Sequence, residues 1–296
     1  MKNIFKVGYV VSYDWRLLEH SLPTVYPYVD SITISLDCNN TTWSGNKFQL
    51  ERSKLIELLN QIDSNKKIAI YEDSFYALHR SPIENETFQR NKLSSFMGPS
   101  GWHLQVDVDE YILKIENFIK YLSSISVHKK KTFTIFASWI PIIKKAPEGF
   151  YIVSFPNGRY ETFPLAFYNP VFRSYRRTGF QHRLSRCLVF HQTLARQPEE
   201  VRQKLISWGH SKDFDGESFY KKWKSINHKN YQEIRNFHPV KPDLWPKLEL
   251  IQADTINELM SIYQPPRVSE IRRLKVMILS IMFQGRENIF KRSVQI

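Results

Sequence analysis

The sequence predicts an α/β fold, a mostly parallel sheet flanked by helices with a helical C-terminal extension. Three observations carry this expectation. Apolar, β-branched runs alternate with amphipathic stretches through the first half of the chain, the pattern of a parallel sheet covered by helices. Acidic residues recur where those runs end, at Asp14, Asp37, the Glu72–Asp73 pair and Asp107 to Glu110. Prolines collect from Pro239 to Pro266, and the pattern beyond them is helical. The expected division is therefore a main domain over 1–238, with halves at about 1–115 and 116–238, and an extension over 239–296.

Phe5 to Ser12 is β-branched and aromatic and reads as a buried strand, with Gly8 permitting a close approach. Asp14 to Asp30 reads as a helix with Leu17, Leu18 and Leu22 on one stripe and a bend at Pro23 and Pro27. Ser31 to Leu36 is a second strand, ending at Asp37. Gln49 to Ile62 is an amphipathic helix, Lys67 to Tyr71 a third strand, and Glu86 to Met97 a helix stopped by Gly98. A further strand runs into the acidic cluster, followed by a helix over Ile115 to Ile125 and strands over Thr132 to Ile143 and Tyr151 to Ser154. Glu161 to Gly179 is rich in aromatics and arginine. Ser185 to His191 is an apolar run ending in histidine, and Pro198 to Trp208 is a helix with Glu199 and Glu200 in its first turn. Helical pieces follow at Glu217 to Ile226, Tyr231 to Phe237, Ala253 to Ile262 and Arg267 to Gln284.

The chain has 296 residues, 42% of them hydrophobic, enough for a sizeable core. Its 42 Lys and Arg exceed its 29 Asp and Glu by 13, so polyanions are the favoured partners: phosphorylated substrates, an anionic membrane face or nucleic acid. Lysines and arginines are scattered, and no helix-turn-helix, zinc or RNA-binding signature is present, which sets nucleic acid aside. Two distant cysteines, Cys38 and Cys187, form no disulfide framework and no metal spacing. The opening residues lack the pattern of a cleavable leader and no run is apolar enough to span a bilayer, so the expected setting is cytoplasmic, at the inner face of the membrane.

The stretch Trp102 to Leu113, WHLQVDVDEYIL, carries the chemistry. An apolar strand cannot hold Asp107, Asp109 and Glu110 unpaired in its interior, because buried charge is costly. A strand ending at a site, with a cation on the carboxylates, resolves this. Asp-x-Asp sets alternate side chains on one side of an extended chain, and a few oxygen ligands suit Mg²⁺ or Mn²⁺ carrying a substrate phosphate.

Residues 86–113 show the same order of features as the GT-A fold glycosyltransferases of the family 2 type. Gln89, Arg90 and Asn91 open a helix, Gly98 and Gly101 bear a turn, and an apolar strand leads into Asp107 and Asp109. The chain resembles that family over about residues 5–115 and more loosely to about 215. In place of the family's Pro-x-x-Asn-Glu opening stands Ser12-Tyr13-Asp14, and no Asp-rich run follows Asp37. The resemblance implies a Rossmann-like sheet and transfer from a nucleotide-sugar, a UDP-sugar foremost, to a saccharide or lipid-linked acceptor. Ser12, Tyr13, Asp14, Asp37, Arg90 and Asp107 would bind the donor, with Asp37 reading the base edge. Arg90 would neutralise the diphosphate or orient Asp109. Asp109, Asp107 and His191 would hold the metal, with His210 the rival histidine, and Arg196 and Lys204 would contact the diphosphate or the acceptor. Glu110 is assigned a structural or supporting role.

An inverting transfer needs a base for the acceptor hydroxyl. The candidates are Glu161, Glu199, Glu200 and Asp213, and Glu161 is preferred because aromatics and arginines surround it in the sequence. From Arg267 onward, Ile271, Leu274, Ile278 and Ile281 form an apolar stripe among basic residues, so residues 267–292 are expected to lie against a membrane surface. A sugar-phosphate nucleotidyltransferase is the rival enzyme. It needs a glycine-rich phosphate loop after the first strand, where this chain has Ser12-Tyr13-Asp14-Trp15.

Overall fold

The computed structural model describes residues 3–127, 132–179, 182–207 and 213–278. The first half builds as the alternation requires. Strand β1 (Phe5–Val11) is followed by α1 (Leu18–Val25), β2 (Ser31–Asp37), α2 (Arg52–Ile62), β3 (Ile68–Asp73), α3 (Pro82–Phe96) and β4 (Trp102–Asp107). β1 lies parallel between β2 and β4, and β3 lies parallel outside β2. The strand order therefore reverses between β1 and β4. In open α/β sheets the ligand crevice lies at such a reversal, beyond the carboxyl ends of the strands.

Local chemistry explains the boundaries. The helix expected over Asp14 to Asp30 is broken into a 3-10 turn at Trp15–Leu17, α1, and a second 3-10 turn at Tyr26–Tyr28 that contains Pro27. Proline offers no backbone donor: Pro23 is carried inside α1 near its end, and Pro27 sits in the first turn of the 3-10 segment that replaces further α-helix. α3 starts before the expected Glu86, because Ser81 and Glu84 form a reciprocal capping box and Pro82 occupies the first turn. Its end is as expected: Gly98 follows the last helical residues at φ 77°, where an L side chain is disfavoured. Gly8 is the close approach read from the sequence. A Cβ there would lie 2.9 Å from both Leu93 Cδ2 and Met97 Sδ on α3.

The second half corrects the expectation of a mostly parallel sheet. After β5 (Glu110–Ile112) and α4 (Ile115–Ser123) come β6 (Phe133–Ala146), β7 (Gly149–Val153), β8 (Glu161–Tyr168) and β9 (His182–His191). β6 turns straight back into β7, and a connection that short permits only antiparallel pairing. β8 is antiparallel to both β6 and β4, and β9 is parallel to β6. The result is one mixed ten-stranded sheet. β8 and β5 lie where the sequence showed only aromatics and a return of apolar residues.

Helices α5 (Pro198–Ser207) and α6 (Gly216–Ser225) follow, then β10 (Leu248–Ile251) and α7 (Ile256–Ile262). β10 pairs with β7, so the segment expected as an extension from 239 contributes a strand to the sheet. Trp245, Leu248, Ile256, Leu259 and Val268 share a core with Tyr151, Phe190 and Leu205. A first core gathers β1, β2, β4, α1 and α4 around Val7, Leu22, Ile34, Leu104 and Phe118. Burying each such side chain contributes about 1.5–3 kcal/mol. Residues 270–278 are helical and expose Ile271, Leu274, Met277 and Ile278. Two of the basic residues expected to flank that stripe turn inward instead: Arg272 bonds the Tyr160 carbonyl, and Arg273 Nε donates to the Leu184 carbonyl at 3.1 Å. Ile281 and the basic residues Arg286, Lys291 and Arg292 lie outside the described residues. Among the described residues no helix is long and apolar enough to cross a membrane.

Candidate functional site: a cleft at the β1–β4 reversal

A cleft of about 450 Å³ opens at the carboxyl ends of β1, β2 and β4. Ser12, Tyr13, Asp14, Asp37, Trp43, Asp107 and Asp109 line one side. Trp139, Glu161, Phe163, His191 and Trp245 line the other. The acid-marked ends of β1, β2 and β4 thus share one cavity with residues of β6, β8 and β9, whereas Glu72 and Asp73 at the end of β3 do not line it.

The turn after β4 separates its carboxylates. β4 ends at Asp107, Val108 packs into the first core, and β5 returns antiparallel to β9 with Glu110 opposite His191. Asp107 is braced from two directions. Arg90 Nη2 donates to its Oδ1 at 2.9 Å, and Arg176 Nη2 donates to its Oδ2 at 3.1 Å. Arg90 also holds Glu86 at 2.8 Å, so it orients Asp107 rather than Asp109. Arg176 reaches Glu110 at 2.7 and 2.9 Å and the Gln105 carbonyl at 3.1 Å. Glu110 is buried and also accepts from the Asp107 N–H and from Trp139 Nε1, which makes it the structural member of the three. Burial works against ionisation of Asp107, but Arg176 and Arg90 outweigh it and hold the carboxyl below its ordinary value.

Asp109 faces a different set. Its Oδ2 accepts from Arg196 Nη2 and from Lys204 Nζ, each at 2.6 Å, and His191 Nε2 lies 3.5 Å away. Arg196 Nη1 continues to Asp14 Oδ2 at 3.0 Å, and Ser12 Oγ donates to Asp14 Oδ1 at 3.1 Å. A chain of charge-assisted bonds thus ties the end of β1 to the end of β4. Burial again opposes ionisation of Asp109, and Lys204, His191 and Arg196 overcome it, holding the carboxyl well below its ordinary value. Burial, helped by Arg196, pushes the Lys204 ammonium down against the pull of Asp109.

The divalent ion expected on Asp107, Asp109 and His191 does not fit this donor set. Both Asp107 oxygens accept from guanidinium groups, and Asp109 Oδ2 accepts from two cations. Mg²⁺ binds oxygen at about 2.1 Å, and at Asp109 Oδ2 that space is taken by Lys204 and Arg196. Among the described residues no group of three His, Cys, Asp or Glu could hold a metal ion.

On the far side, Trp139 and Phe163 stack at 4.2 Å with an interplanar angle of 11°, and the Arg176 guanidinium lies over both rings. Glu161 stands opposite Trp139 in the β6–β8 register. Burial raises its carboxyl above the ordinary value, against the pull of His191, Trp245 and Lys241. The Trp245 indole N–H is buried without a direct hydrogen bond and lies within electrostatic reach of that carboxylate.

The remaining expectations divide. Tyr13 lines the cleft, edge-on to Phe48, with burial raising its hydroxyl. Asp37 also lines it, but its Oδ1 accepts from the Asn39 and Thr41 N–H groups and its Oδ2 from Phe75 N–H. That is the bonding of a turn-forming aspartate. Glu199, Glu200 and Asp213 are exposed and do not line the cleft, and Glu200 caps Gln197. His210 lies outside the described residues. Sequence reasoning missed the roles of Arg176, Glu86 and Trp43. Trp43 donates to Gln89 at 2.6 Å and takes the Arg90 guanidinium against its ring. Only a spacing between Arg176 and Asp107 could have signalled the first of these, and no spacing rule joins residues so far apart.

No protein-family model matches the chain, and no curated protein does. Solved structures similar to it include mannose-6-phosphate isomerase from Helicobacter pylori, with 13% identity and a TM-score of 0.32 over 78% of this chain and 83% of that one. UDP-glucose pyrophosphorylase complexed with UDP-glucose shows 9% identity and a TM-score of 0.31 over 56% and 76%. Mannose-1-phosphate geranyltransferase from Thermus thermophilus shows 8% and 0.29 over 76% and 66%. Likenesses at these TM-scores leave fold and function to rest on the chain's own geometry.

Proposed function

We propose that the chain is a glycosyltransferase that moves a sugar from a nucleotide-sugar donor, a UDP-sugar foremost, to a saccharide or lipid-linked acceptor. One observation carries the reading. The ends of β1 and β4, at the strand-order reversal, share a single cleft with a half-buried carboxylate and a stacked aromatic pair from the other half of the sheet. A donor seated over Ser12, Tyr13 and Asp14 would direct its diphosphate toward Lys204, which lines the cleft, with Arg196 buried behind it. Among the described residues only Asp109 accepts from Lys204, an ammonium with three donors.

The acceptor sugar would lie against Trp139, which Phe163 backs, with a hydroxyl at Glu161. Glu161 takes the hydroxyl proton as the oxygen attacks the anomeric carbon. The bond from that carbon to the phosphate oxygen breaks, and the nucleoside diphosphate leaves with its new negative charge facing Lys204. Incubation with UDP-sugars and simple glycosides tests this: release of UDP with a new glycosidic bond is expected. Release or incorporation of pyrophosphate with a sugar phosphate and nucleoside triphosphate would instead establish a nucleotidyltransferase.

The exposed Ile271, Leu274 and Ile278 support the further proposal that residues 267–292 rest on an anionic lipid surface. Flotation with phosphatidylserine vesicles checks it. The Leu274→Glu, Ile278→Glu double variant should stay unbound, and equal flotation of the variant removes the proposal.

A further inference from the structure

We infer that Lys204, with Arg196 beside it, is the resident cation of Asp109, and that the cleft binds a nucleoside diphosphate without a divalent metal. The inference rests on the nucleotide reading of the cleft and concerns which positive charge serves it.

Lys204 Nζ sits 2.6 Å from the one Asp109 oxygen that also meets Arg196 and faces His191. Oδ2 is the Asp109 oxygen that His191 faces, where an ion shared by the two would sit, and the ammonium is there. The position is fixed by the fold. Lys204 stands on α5 between Val201 and Leu205, both buried in the second core, so the helix face that anchors α5 also directs Lys204 toward the cleft. Its side chain is largely withdrawn from solvent.

Asp107 is already neutralised on the other side, since each of its oxygens accepts from a different arginine. The charges also come close to cancelling. Asp14, Glu86, Asp107, Asp109 and Glu110 face Arg90, Arg176, Arg196 and Lys204 through direct bonds among the described residues. One formal negative charge is left over, and a doubly charged ion would make the cluster positive while pressing against Lys204. Within bonding distance of a buried ammonium that repulsion is strong, because little solvent screens it. Lysine serves well as such a point charge for phosphate.

Two measurements on the full chain test this. Mn²⁺ uptake is followed by loss of the free-ion paramagnetic resonance signal, and melting temperature is followed with UDP in EDTA and in Mn²⁺. The expected result is no Mn²⁺ retained by the protein alone, a UDP shift of the same size in EDTA as in Mn²⁺, and UDP affinity at least about tenfold weaker in Lys204→Met. Arg196→Lys provides a second variant should Lys204→Met not fold, and it should weaken UDP binding in EDTA as well. Stoichiometric Mn²⁺ binding by the wild type, a UDP shift seen only with Mn²⁺, or undiminished UDP affinity in a folded Lys204→Met variant overturns the inference. If UDP, GDP and CDP leave the melting temperature unmoved both with and without Mn²⁺, the nucleotide reading itself fails and the diphosphate role of Lys204 goes with it.

Discussion

Arg90 Nη2 lies 2.9 Å from Asp107 Oδ1, and the arginine side chain is wholly out of solvent. The pair joins the middle of α3 to the end of β4 across the first core, and Glu86 takes the other side of the same guanidinium. Arg90→Met leaves two half-buried carboxylates each short of one partner, and a loss of about 1.5–3 kcal/mol is expected from urea unfolding. Arg90→Lys restores the charge without the planar fork and should recover only part of that loss.

Gly8 measures how tightly α3 lies on β1. A methyl group there meets Leu93 and Met97 at 2.9 Å, inside ordinary contact distance. Gly8→Ala is expected to cost about 1–3 kcal/mol in the same unfolding assay, as overpacking does, and to lower the melting temperature without changing the nucleotide specificity.

Glu161 makes opposite predictions for stability and activity. Its folded carboxyl sits above the ordinary value because of burial. Below the unfolded value both states are protonated and the group contributes nothing. Above the folded value the native state carries a buried charge and is destabilised. Glu161→Gln should therefore melt higher than wild type at neutral pH, with the difference shrinking as pH falls below the raised value and gone below the unfolded one. Its turnover should fall about 10²–10⁴-fold if Glu161 is the base, and the acidic limb of the wild-type pH–rate profile should disappear. Unchanged turnover would reassign the base.

Trp139 separates acceptor binding from support of the acidic cluster. Its ring stacks on Phe163 while its Nε1 donates to Glu110 at 3.0 Å. Trp139→Phe keeps a ring and loses the donor, so the expected effect falls on stability. Trp139→Ala removes the platform and should raise the acceptor KM about tenfold with the donor KM little changed. Steady-state kinetics with each substrate varied in turn distinguishes the two.

The sequence by itself determined the parallel half of the fold. Four strands, their intervening helices, the close approach at Gly8 and the stop at Gly98 all follow from short-range patterns: hydrophobic period, capping chemistry and backbone freedom. It also marked Asp14, Asp107 and Asp109 as acids at strand ends, His191 as a histidine after an apolar run and Glu161 by the aromatics around it, all local signals, and the five line one cleft. Only the tertiary structure decided how the charges pair. Arg176 meets Asp107, and Lys204 meets Asp109, across 69 and 95 positions of chain. The mixed character of the sheet belongs to the same class, since the pairing of β8 with β4 and of β10 with β7 is set by which edges remain open once the first strands are in place. Residue types give the sign of each charge, but the partner is fixed by distance in space, and at Asp109 the nearest cations are a lysine and an arginine of this chain.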